Sequence, residues 1–494
     1  MIKRFLMPIL LFAVFFAGMS AIQFATPDMP DNDGFYHIKL AWLMRTESLK
    51  PAFPYLPLSI LNENEFYDHH FLFHVALIPF TFGDLRLGAK WAAVTFSALA
   101  FLSVWYLFHR QKIPLAWLWA IGLLGISDAF LYRMSITRAQ SLSLAVLVLG
   151  LTWILEGRYK HLAVLSFFYV WMYDAFPLIL AIAGLHFLSI LLLENRLEFR
   201  PLLWAGIGIG LGLIINPYFP DNLIFTWHHL LPKLQDATSV SVGNEWYPYD
   251  TAQVLRNSSL ALIAFASGTL ALGLSGRKID LRTTLSFLLA LLFAVMLFKA
   301  RRFVEYFPPF ALIFSAFAWA PLFNVERQPV LAESKLYGKL QTSLPVILLA
   351  VAVSAGIVKS IPVAQERIID SKPYTLYEGA SNWLVKNTPS GELVFQTDWD
   401  DFQRLFFYNT HNTYLAGLDP TYLQLYDGDL YDLWVDITRG RVEQPSKIIL
   451  ERFSARYVHT DLKHGNFLRE AADDPGLIEV YRDEQAVIFQ VAEP

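Results

Sequence analysis

Three aspartates follow the first apolar segment of this 494-residue chain. They are Asp28, Asp31 and Asp33, within PDMPDNDGFYHIKLAW at residues 27–42. Carboxylate oxygens are the ligands that hard divalent cations prefer, and a carboxylate can also act as a general base. Because a half-apolar helix follows the aspartates, the stretch predicts a cation site at the mouth of a lipid-facing cavity. A solvated turn rich in proline and aspartate is the alternative.

A second polar stretch, YDHHFLFH at residues 67–74, offers one carboxylate and three imidazoles. These belong to Asp68, His69, His70 and His74. The last two histidines are four residues apart and share one face if the segment is helical. Such a group can complete a Mn²⁺ or Zn²⁺ site, or Asp68 can act as a general base toward an acceptor hydroxyl. Polar anchoring at a membrane interface is the alternative.

Two later stretches combine acidic and aromatic residues. SVSVGNEWYPYD at residues 239–250 sets Glu245 beside Trp246, an arrangement that suits a sugar or another acceptor. A solvated loop glutamate is the alternative. The stretch 396–423 is dense in Asp, Trp, Tyr and Asn, and it either binds an acceptor or forms a rigid loop. One functional site requires all four stretches to converge.

The composition indicates a multi-spanning membrane protein. Apolar residues make up 55% of the chain and charged residues 17%, and the mean hydropathy is positive. Apolar runs predict about eleven spans. These are 5–24, 87–108, 114–131, 137–155, 161–173, 175–193, 202–217, 256–275, 283–299, 305–324 and 343–360. A shorter apolar run at 71–82 is predicted to lie along the interface.

Several classes of function are excluded by composition and motifs. The net charge of -4, without a long run of either sign, argues against nucleic acid as a partner. The chain has no cysteine, which excludes disulfides and thiolate metal sites. It also lacks a Walker loop, a dinucleotide fingerprint and the G-x-S-x-G and H-E-x-x-H motifs. Nucleotide hydrolysis therefore has no visible site.

The distribution of Lys and Arg predicts the topology. Most loop cations fall on one side, which the positive-inside rule assigns to the cytoplasm together with the N-terminus. A transmembrane domain over 1–360 is therefore expected to place its loops 25–86 and 218–255 on the outer face. A soluble α/β domain over 361–494 shares that face. Its strand-like pieces, mixed with short helices, are GELVFQT, KIILERF, ARYVHTD, GLIEVYRD and AVIFQVA.

Five cations break this charge rule at the outer edge of the membrane. They are Arg133, Arg138, Lys299, Arg301 and Arg302. A guanidinium group binds phosphate through two parallel hydrogen bonds, so these residues predict a site for a phosphate or pyrophosphate headgroup. Snorkelling side chains, or an ion pair with Glu305, are the alternatives.

This arrangement resembles the GT-C superfamily of integral membrane glycosyltransferases, and most closely the catalytic subunit of oligosaccharyltransferase. In that family an acidic motif follows the first transmembrane helix and precedes an amphipathic helix, and NDGFYHIKLAW takes that place. Asp33 or Asp31 then matches the metal- and acceptor-binding aspartate. SVSVGNEW is similar to the family's S-V-S-E-type loop motif, which makes Glu245 the counterpart of the loop glutamate.

Two departures limit the resemblance. The family's second acidic motif is expected within SDAFLYRMSITRAQS, where Asp128 is the only acidic residue, so the metal site is incomplete or Asp68 substitutes. The WWDYG element that reads the glycosylation sequon is absent, and TDWDDF at 397–402 is a distant echo of it. An acceptor other than a protein sequon is therefore favoured.

The resemblance implies that a sugar is transferred from a polyprenyl phosphate or pyrophosphate donor to a saccharide, lipid or protein acceptor. The expected location is the extracytoplasmic face of a bacterial inner membrane. Two alternatives are a transporter or flippase for lipid-linked glycans and a catalytically inactive relative.

The resemblance also implies roles for particular residues. The expected catalytic carboxylates are Asp33, Asp31, Asp68 and Glu245, with Asp33 as base or metal ligand. Substrate or lipid phosphate is expected to contact Arg301, Arg302, Arg138, Tyr36, His37 and Trp246. A divalent cation, Mg²⁺ or Mn²⁺, is expected on Asp33, Asp68 and His69.

Overall fold

A computed structural model describes residues 2–227, 243–323 and 335–492. The chain forms two compact units. Unit 1 contains residues 2–27, 90–215, 243–323 and 335–371, and unit 2 contains residues 28–89, 216–227 and 372–492. Part of the predicted outer loop 218–255, including the first four residues of SVSVGNEWYPYD, lies outside the described residues. The predicted boundary at 360/361 stays a prediction.

Helices dominate the first 371 residues. The α-helices include Ile2–Gln23, Asp33–Thr46, Phe71–Leu77, Leu85–Arg110, Ala116–Ile121, Asp128–Ser135, Gln140–Leu155, Lys160–Met172, Leu178–Glu194, Arg200–Ile214, Thr251–Ser275, Leu281–Lys299, Phe307–Phe323 and Lys335–Ile369. Short 3₁₀ helices are Ile78–Thr81, Gly122–Leu124, Asn244–Trp246 and Arg301–Glu305. A chain that crosses lipid must satisfy its backbone polar groups internally, which long apolar helices do.

Several of these helices can cross a membrane. Among the described residues, five helices are long and apolar enough, or six if the bent pair Asp128–Ser135 and Gln140–Leu155 forms one span. Shorter apolar helices include Leu178–Glu194, Arg200–Ile214 and Phe307–Phe323. The chain is thus a mostly helical, multi-pass membrane protein, as the composition predicts. The count of about eleven spans and the orientation stay predictions.

The span predicted over 114–131 is not one continuous helix. The α-helix ends at Ile121, a 3₁₀ turn follows, and a new helix begins at Asp128. Ser127 caps that new helix, because its hydroxyl accepts a hydrogen bond from the Phe130 N–H at 3.2 Å. The next helix is bent by 110° from it, so the residues between them, which include Arg138, form an irregular segment.

Unit 2 contains a five-stranded mixed sheet. The strands are β1 Leu393–Gln396, β2 Thr413–Tyr414, β3 Tyr457–Asp461, β4 Leu477–Arg482 and β5 Ala486–Val491. Their order is β2-β1-β3-β5-β4. β1 is parallel to β2 and β3, and β5 is antiparallel to β3 and β4. The sheet confirms the prediction of strands mixed with short helices near the C-terminus.

The helices of this C-terminal region cover the sheet. They are Glu378–Asn387, Phe402–Tyr408, Thr421–Tyr426, Gly428–Thr438, Pro445–Phe453 and Gly465–Asp473, with a 3₁₀ turn at Trp399–Asp401. The prediction of a strand at KIILERF is wrong, since these residues belong to Pro445–Phe453. Ile449 and Phe453 are buried in the core. Their spacing of four residues places them on one helix face, whereas a strand would turn every second side chain inward.

The helix Asp33–Thr46 packs against Phe402–Tyr408 within unit 2. The ring centroids of Phe35 and Phe407 are 5.2 Å apart, and those of Tyr36 and Phe406 are 5.8 Å apart. These aromatic contacts join the N-terminal part of unit 2 to its sheet-containing part. They fix the position of the aspartates at the start of the first helix.

A close backbone contact in unit 1 gives a first prediction. A Cβ on Gly125 would lie 2.7 Å from the Ile357 nitrogen, whereas a Cβ on Gly206 would meet nothing within 4 Å. We expect Gly125→Ala to lower the free energy of unfolding by about 1–3 kcal/mol, because two backbones must separate. Gly206→Ala is the matched control. Equal melting temperatures for the two purified variants would contradict the contact.

Candidate functional site

Unit 1 gathers charged residues from four separate segments into what we term the arginine cluster, composed of Arg133, Arg138, Arg302, Glu245 and Glu305. Arg133 lies on the helix Asp128–Ser135, and Arg138 lies in the bend that follows it. Arg302 and Glu305 belong to the 3₁₀ helix Arg301–Glu305, and Glu245 belongs to Asn244–Trp246.

Two carboxylates hold the three guanidinium groups of the arginine cluster together. Glu245 Oε2 accepts hydrogen bonds from Arg133 Nη2 at 2.8 Å and from Arg138 Nη1 at 2.9 Å. Glu245 Oε1 lies 3.8 Å from Arg302 Nη1. Glu305 Oε1 accepts from Arg133 Nε at 2.6 Å and also contacts Arg133 Nη2. Glu245 is therefore the carboxylate on which all three arginines converge.

Aromatic side chains orient Arg302. Its Nη2 donates to the Tyr173 hydroxyl at 2.7 Å, and its guanidinium carbon lies 4.2 Å from the ring centroid of Trp246. Arg301 points elsewhere. Its Nε donates to the Pro248 carbonyl at 3.2 Å, and its guanidinium carbon lies 5.1 Å from the ring centroid of Tyr249. Of the predicted pair, Arg302 thus belongs to the arginine cluster and Arg301 supports the neighbouring loop.

The side chains of the arginine cluster are mostly buried, but four of the five remain partly exposed to solvent. The side chains of Arg133, Arg302, Arg138 and Glu245 are 11%, 14%, 17% and 19% exposed, whereas Glu305 is 1% exposed. Burial alone would raise the pKa of Glu245, but Arg138, Arg133 and Arg302 together hold it well below its usual range. Glu245 therefore stays ionised, and its negative charge compensates the positive charges of the arginines.

Asp128, the only acid in the expected second acidic motif, has a different partner in unit 1. Its Oδ2 lies 2.7 Å from Arg367 Nη2, and Arg367 also donates to Asn257 Oδ1 at 2.7 Å. This arrangement is a helix-joining ion pair, in which the charge of Asp128 is compensated by a cation of the chain.

Unit 2 contains an aspartate cluster, formed by Asp31, Asp33 and Asp400. Asp31 adopts a left-handed conformation, with φ of 71°, and its Oδ1 accepts from the Asp33 N–H at 3.2 Å. Gln403 Nε2 donates to Asp33 Oδ1 at 3.2 Å. Asn32 Nδ2 donates to Asp400 Oδ2 at 2.7 Å. The motif after the first apolar segment is thus joined to TDWDDF by side-chain hydrogen bonds.

Arg404 stabilises the junction between the loop that carries Asp31 and Asp33 and the segment TDWDDF. It is buried, and its Nε donates to Asn32 Oδ1 at 2.7 Å while its Nη1 donates to the Pro373 carbonyl at 2.6 Å. Its guanidinium carbon also lies 4.3 Å from the ring centroid of Phe35. Asn32 is held on both sides, by Arg404 and Asp400, so the loop that carries Asp31 and Asp33 has a defined geometry.

Asp400 is the member of the aspartate cluster that comes from the segment TDWDDF, and its pKa is raised. Loss of hydration, and next the nearby charge of Asp31, raise the pKa of Asp400 to about 7, although Lys372 opposes the shift. Its side chain is still 41% exposed. A carboxyl group that titrates near neutral pH and remains accessible has the properties of a general acid or base.

A second set of polar residues in unit 2 consists of Asp68, His74 and His37, whose buried side chains form a hydrogen-bonded chain. His74 Nδ1 lies 2.7 Å from Asp68 Oδ2, and His74 Nε2 lies 2.7 Å from His37 Nδ1. Asp68 Oδ1 also accepts from the His70 N–H at 3.0 Å. With both rings neutral, His74 donates to Asp68 and accepts from His37. The carboxylate thereby orients both imidazoles.

The metal prediction can be tested against these contacts. Within the described residues, no three Asp, Glu or His side chains are grouped so as to hold a metal ion. His69 stacks on Phe225, with ring centroids 5.1 Å apart, and Asp68 is engaged by His74. Mg²⁺, however, commonly binds one or two protein carboxylates together with water and substrate phosphate. Asp31 and Asp33 fit that mode.

An open cavity of about 740 Å³ also lies within unit 2. Its lining combines the polar residues Asn62, Asn64 and Asp221 with the aromatic residues Phe225 and Tyr426. Such a mixture suits a polar organic acceptor. Tyr36, a predicted substrate contact, is instead buried among aromatic rings of unit 2.

Sequence reasoning identified some members of these groups and missed others. In unit 1 it identified Arg133, Arg138, Arg302 and Glu245, and its alternative of an ion pair with Glu305 holds for Arg133. In unit 2 it identified Asp31 and Asp33. It missed Asp400 and Gln403 as neighbours of Asp33, and it gave His74 less weight than Asp68. The prediction that the acidic stretches and Arg301 share one site concerns both units and stays a prediction.

Comparison with known proteins identifies the fold. No protein-family model matches the chain, and no curated protein sequence is significantly similar to it. Solved structures do match. The apo oligosaccharyltransferase of Archaeoglobus fulgidus aligns with a TM-score of 0.67 and 14% identity, over 98% of this chain and 74% of that chain.

Two further structures extend the comparison. The arabinofuranosyltransferase AftD from Mycobacteria aligns with a TM-score of 0.59 and 14% identity, over 99% of this chain and 40% of that chain. ArnT from Cupriavidus metallidurans, bound to undecaprenyl phosphate, aligns with a TM-score of 0.54 and 12% identity, over 98% and 97% of the two chains. The chain therefore has the GT-C fold and resembles oligosaccharyltransferase, as the sequence predicts.

The raised pKa of Asp400 gives a pH-dependent prediction. An unfolded aspartate titrates near pH 4, so the folded chain binds more protons between about pH 4 and 7, and its stability falls as the pH rises through that window. We expect Asp400→Asn to raise the free energy of unfolding at pH 8 by about 1 kcal/mol, a value discounted for solvent exposure. At pH 4 the gain should vanish.

Thermal unfolding of the purified protein at both pH values measures this effect. Asp432→Asn, at an exposed position of unit 2, is the matched control and should behave as the wild type. An equal effect of Asp400→Asn at pH 4 and pH 8 would contradict the assignment.

Proposed function

We propose that this protein is a glycosyltransferase that moves a sugar from a polyprenyl phosphate or pyrophosphate donor to an acceptor. The observation that carries the proposal is the arginine cluster of unit 1 in a chain with the GT-C fold. Two solved structures that match this chain hold a polyprenyl-type phosphate. The Archaeoglobus fulgidus oligosaccharyltransferase is in complex with dolichol-phosphate, and ArnT from Cupriavidus metallidurans is bound to undecaprenyl phosphate. The same ligand class suits three arginines at a shielded site.

The arginine cluster is suited to the leaving group of the reaction. When the bond between sugar and phosphate breaks, negative charge develops on the phosphate oxygen. Guanidinium groups that are already oriented stabilise this charge without reorganisation, and Tyr173 and Trp246 orient Arg302 in that way. We assign donor phosphate binding to Arg138, Arg302 and Arg133.

The carboxylates of unit 2 are suited to acceptor activation. Asp33 is held by Gln403 and by its own backbone contact with Asp31, so its carboxylate has a fixed direction. A carboxylate so placed can remove the proton of an acceptor hydroxyl as it attacks the sugar. We assign this role to Asp33, and we propose that Asp31 and Asp400 tune its basicity through their charges.

The Asp68–His74–His37 chain supports the same helix. His37 lies one turn after Asp33 on Asp33–Thr46, and its ring is held by His74, which is held by Asp68. We propose that this chain fixes the helix and offers a second proton-accepting group. The proposed location is the extracytoplasmic face of an inner membrane, with a saccharide, lipid or protein as acceptor.

A transfer assay tests the function. Purified protein in proteoliposomes is given undecaprenyl-linked hexoses with one or two phosphates, together with a saccharide acceptor that carries free hydroxyl groups. Transfer of the hexose to the acceptor and release of undecaprenyl phosphate or pyrophosphate are measured. We expect release by the wild type and a loss of at least about 100-fold in Asp33→Asn, because a general base contributes at least that factor. The exposed Asp432→Asn should retain full activity.

Two results would contradict the proposal. Passage of the intact lipid-linked sugar across the bilayer without cleavage would identify a flippase. Equal release by the wild type and Asp33→Asn would remove Asp33 from the reaction.

We also propose that Asp31 and Asp33 hold a divalent cation, Mg²⁺ or Mn²⁺, which as a Lewis acid would lower the pKa of a bound hydroxyl. We expect EDTA to abolish release of the lipid phosphate, and added Mg²⁺ or Mn²⁺ to restore it. Isothermal titration with Mn²⁺ should show a site that Asp33→Asn weakens by about tenfold or more. Full activity in EDTA would show that carboxylate and imidazole bases suffice.

A further inference from the structure

Glu245 holds a position in the arginine cluster that a phosphate would need. Its two oxygens face the guanidinium groups of Arg133, Arg138 and Arg302. Carboxylate and phosphate oxygens accept from the same guanidinium N–H groups in the same two-pronged geometry. A phosphate that binds these three arginines must therefore take over hydrogen bonds that Glu245 now accepts.

The second acid of the arginine cluster is not an equivalent competitor. Glu305 is 1% exposed and is bound to Arg133, whereas Glu245 is 19% exposed. Removing Glu305 from its place would leave a buried carboxylate without its cation, which is costly. Glu245 can instead turn toward solvent, where its charge is hydrated.

The segment around Glu245 is attached by contacts that do not involve its carboxylate. The Arg301 N–H donates to the Tyr247 carbonyl at 3.0 Å, and Arg301 Nε donates to the Pro248 carbonyl at 3.2 Å. The Trp246 ring lies against Arg302. These contacts hold residues 246–248 beside the cluster after the Glu245 side chain has been released.

We propose that Glu245 is an internal counter-ion that the donor phosphate displaces, so that this residue sets the affinity and the anion selectivity of the arginine cluster. Without a ligand, Glu245 stabilises three neighbouring cations and keeps weakly bound anions out. A phosphate, which presents more acceptor oxygens and more charge than a carboxylate, replaces it. The choice of a lipid-linked phosphate rests on the proposed function; the exchange of carboxylate for phosphate does not.

Binding measurements on isosteric variants test the exchange. Glu245→Gln keeps the shape of the side chain and removes its charge. Glu366→Gln, at an exposed position of unit 1, is the matched control. The dissociation constants of undecaprenyl phosphate, in nanodiscs, and of inorganic phosphate are measured for both variants and the wild type. We expect Glu245→Gln to bind more tightly by at least about tenfold, the effect of one charge-assisted hydrogen bond.

The two ligands separate the possible sources of the phosphate. Tighter binding of both by Glu245→Gln means that the cluster recognises phosphate itself. Tighter binding of undecaprenyl phosphate alone means that the lipid chain is also required. Unchanged or weaker binding of both would overturn the proposal. None of these results depends on sugar transfer, so failure of the transferase assay and failure of this proposal are distinguishable.

Hydrogen exchange of the wild type gives a second test that needs no variant. Residues 246–248 keep their contacts with Arg301 and Arg302 when Glu245 is released, whereas residues 243–245 lose their attachment. We therefore expect amide exchange in residues 243–245 to become at least twofold faster when undecaprenyl phosphate saturates the protein. Slower or unchanged exchange would mean that Glu245 stays in place when the ligand binds, which would overturn the proposal.

Discussion

The charge balance of the arginine cluster is the constraint on which the account depends. Guanidinium groups in a shielded region at the end of apolar helices are costly unless anions compensate them. Glu305 compensates Arg133 from within the same unit, and Glu245 compensates Arg133, Arg138 and Arg302 from a loop. Four segments that are distant in sequence are thereby fixed to one another, and the cost of burying these cations is explained if they bind an anionic ligand.

The aspartate cluster of unit 2 brings together like charges, whereas the arginine cluster of unit 1 pairs opposite charges. Burial, and next the nearby charges of Asp31 and Asp33, raise the pKa of Asp400, so there is charge repulsion within the aspartate cluster. Asn32, Gln403 and the buried Arg404 hold the aspartate cluster together with hydrogen bonds. Binding of a cation or of a proton relieves such repulsion. We therefore propose an anion as the ligand of unit 1 and a proton or a cation as the ligand of unit 2.

Much of the fold could be predicted because it depends on local patterns. Apolar runs located most helices of the first 371 residues, since every lipid-crossing segment needs such a run. The break before Asp128 was missed because the residues around it remain apolar, and only the Ser127 cap marks it. KIILERF was misassigned because a short segment of mixed apolar and charged residues fits both the 3.6-residue period of a helix and the two-residue period of a strand.

The sites were less predictable, because their members meet only through tertiary structure. Arg138 and Arg302 stood out since cations at the outer membrane edge violate the charge rule. Asp400 lies more than 360 residues after Asn32, its hydrogen-bond partner, and no spacing rule links the two. The pairing of Glu245 with three arginines was equally invisible, because acids and bases in separate loops carry no periodic signal.

The most direct test of the account is a structure of the full chain in a lipid nanodisc with undecaprenyl phosphate, determined by electron cryomicroscopy. We expect phosphate density within hydrogen-bonding distance of the Arg138 and Arg302 guanidinium groups. Phosphate density bound elsewhere, with the arginine cluster unchanged, would contradict it.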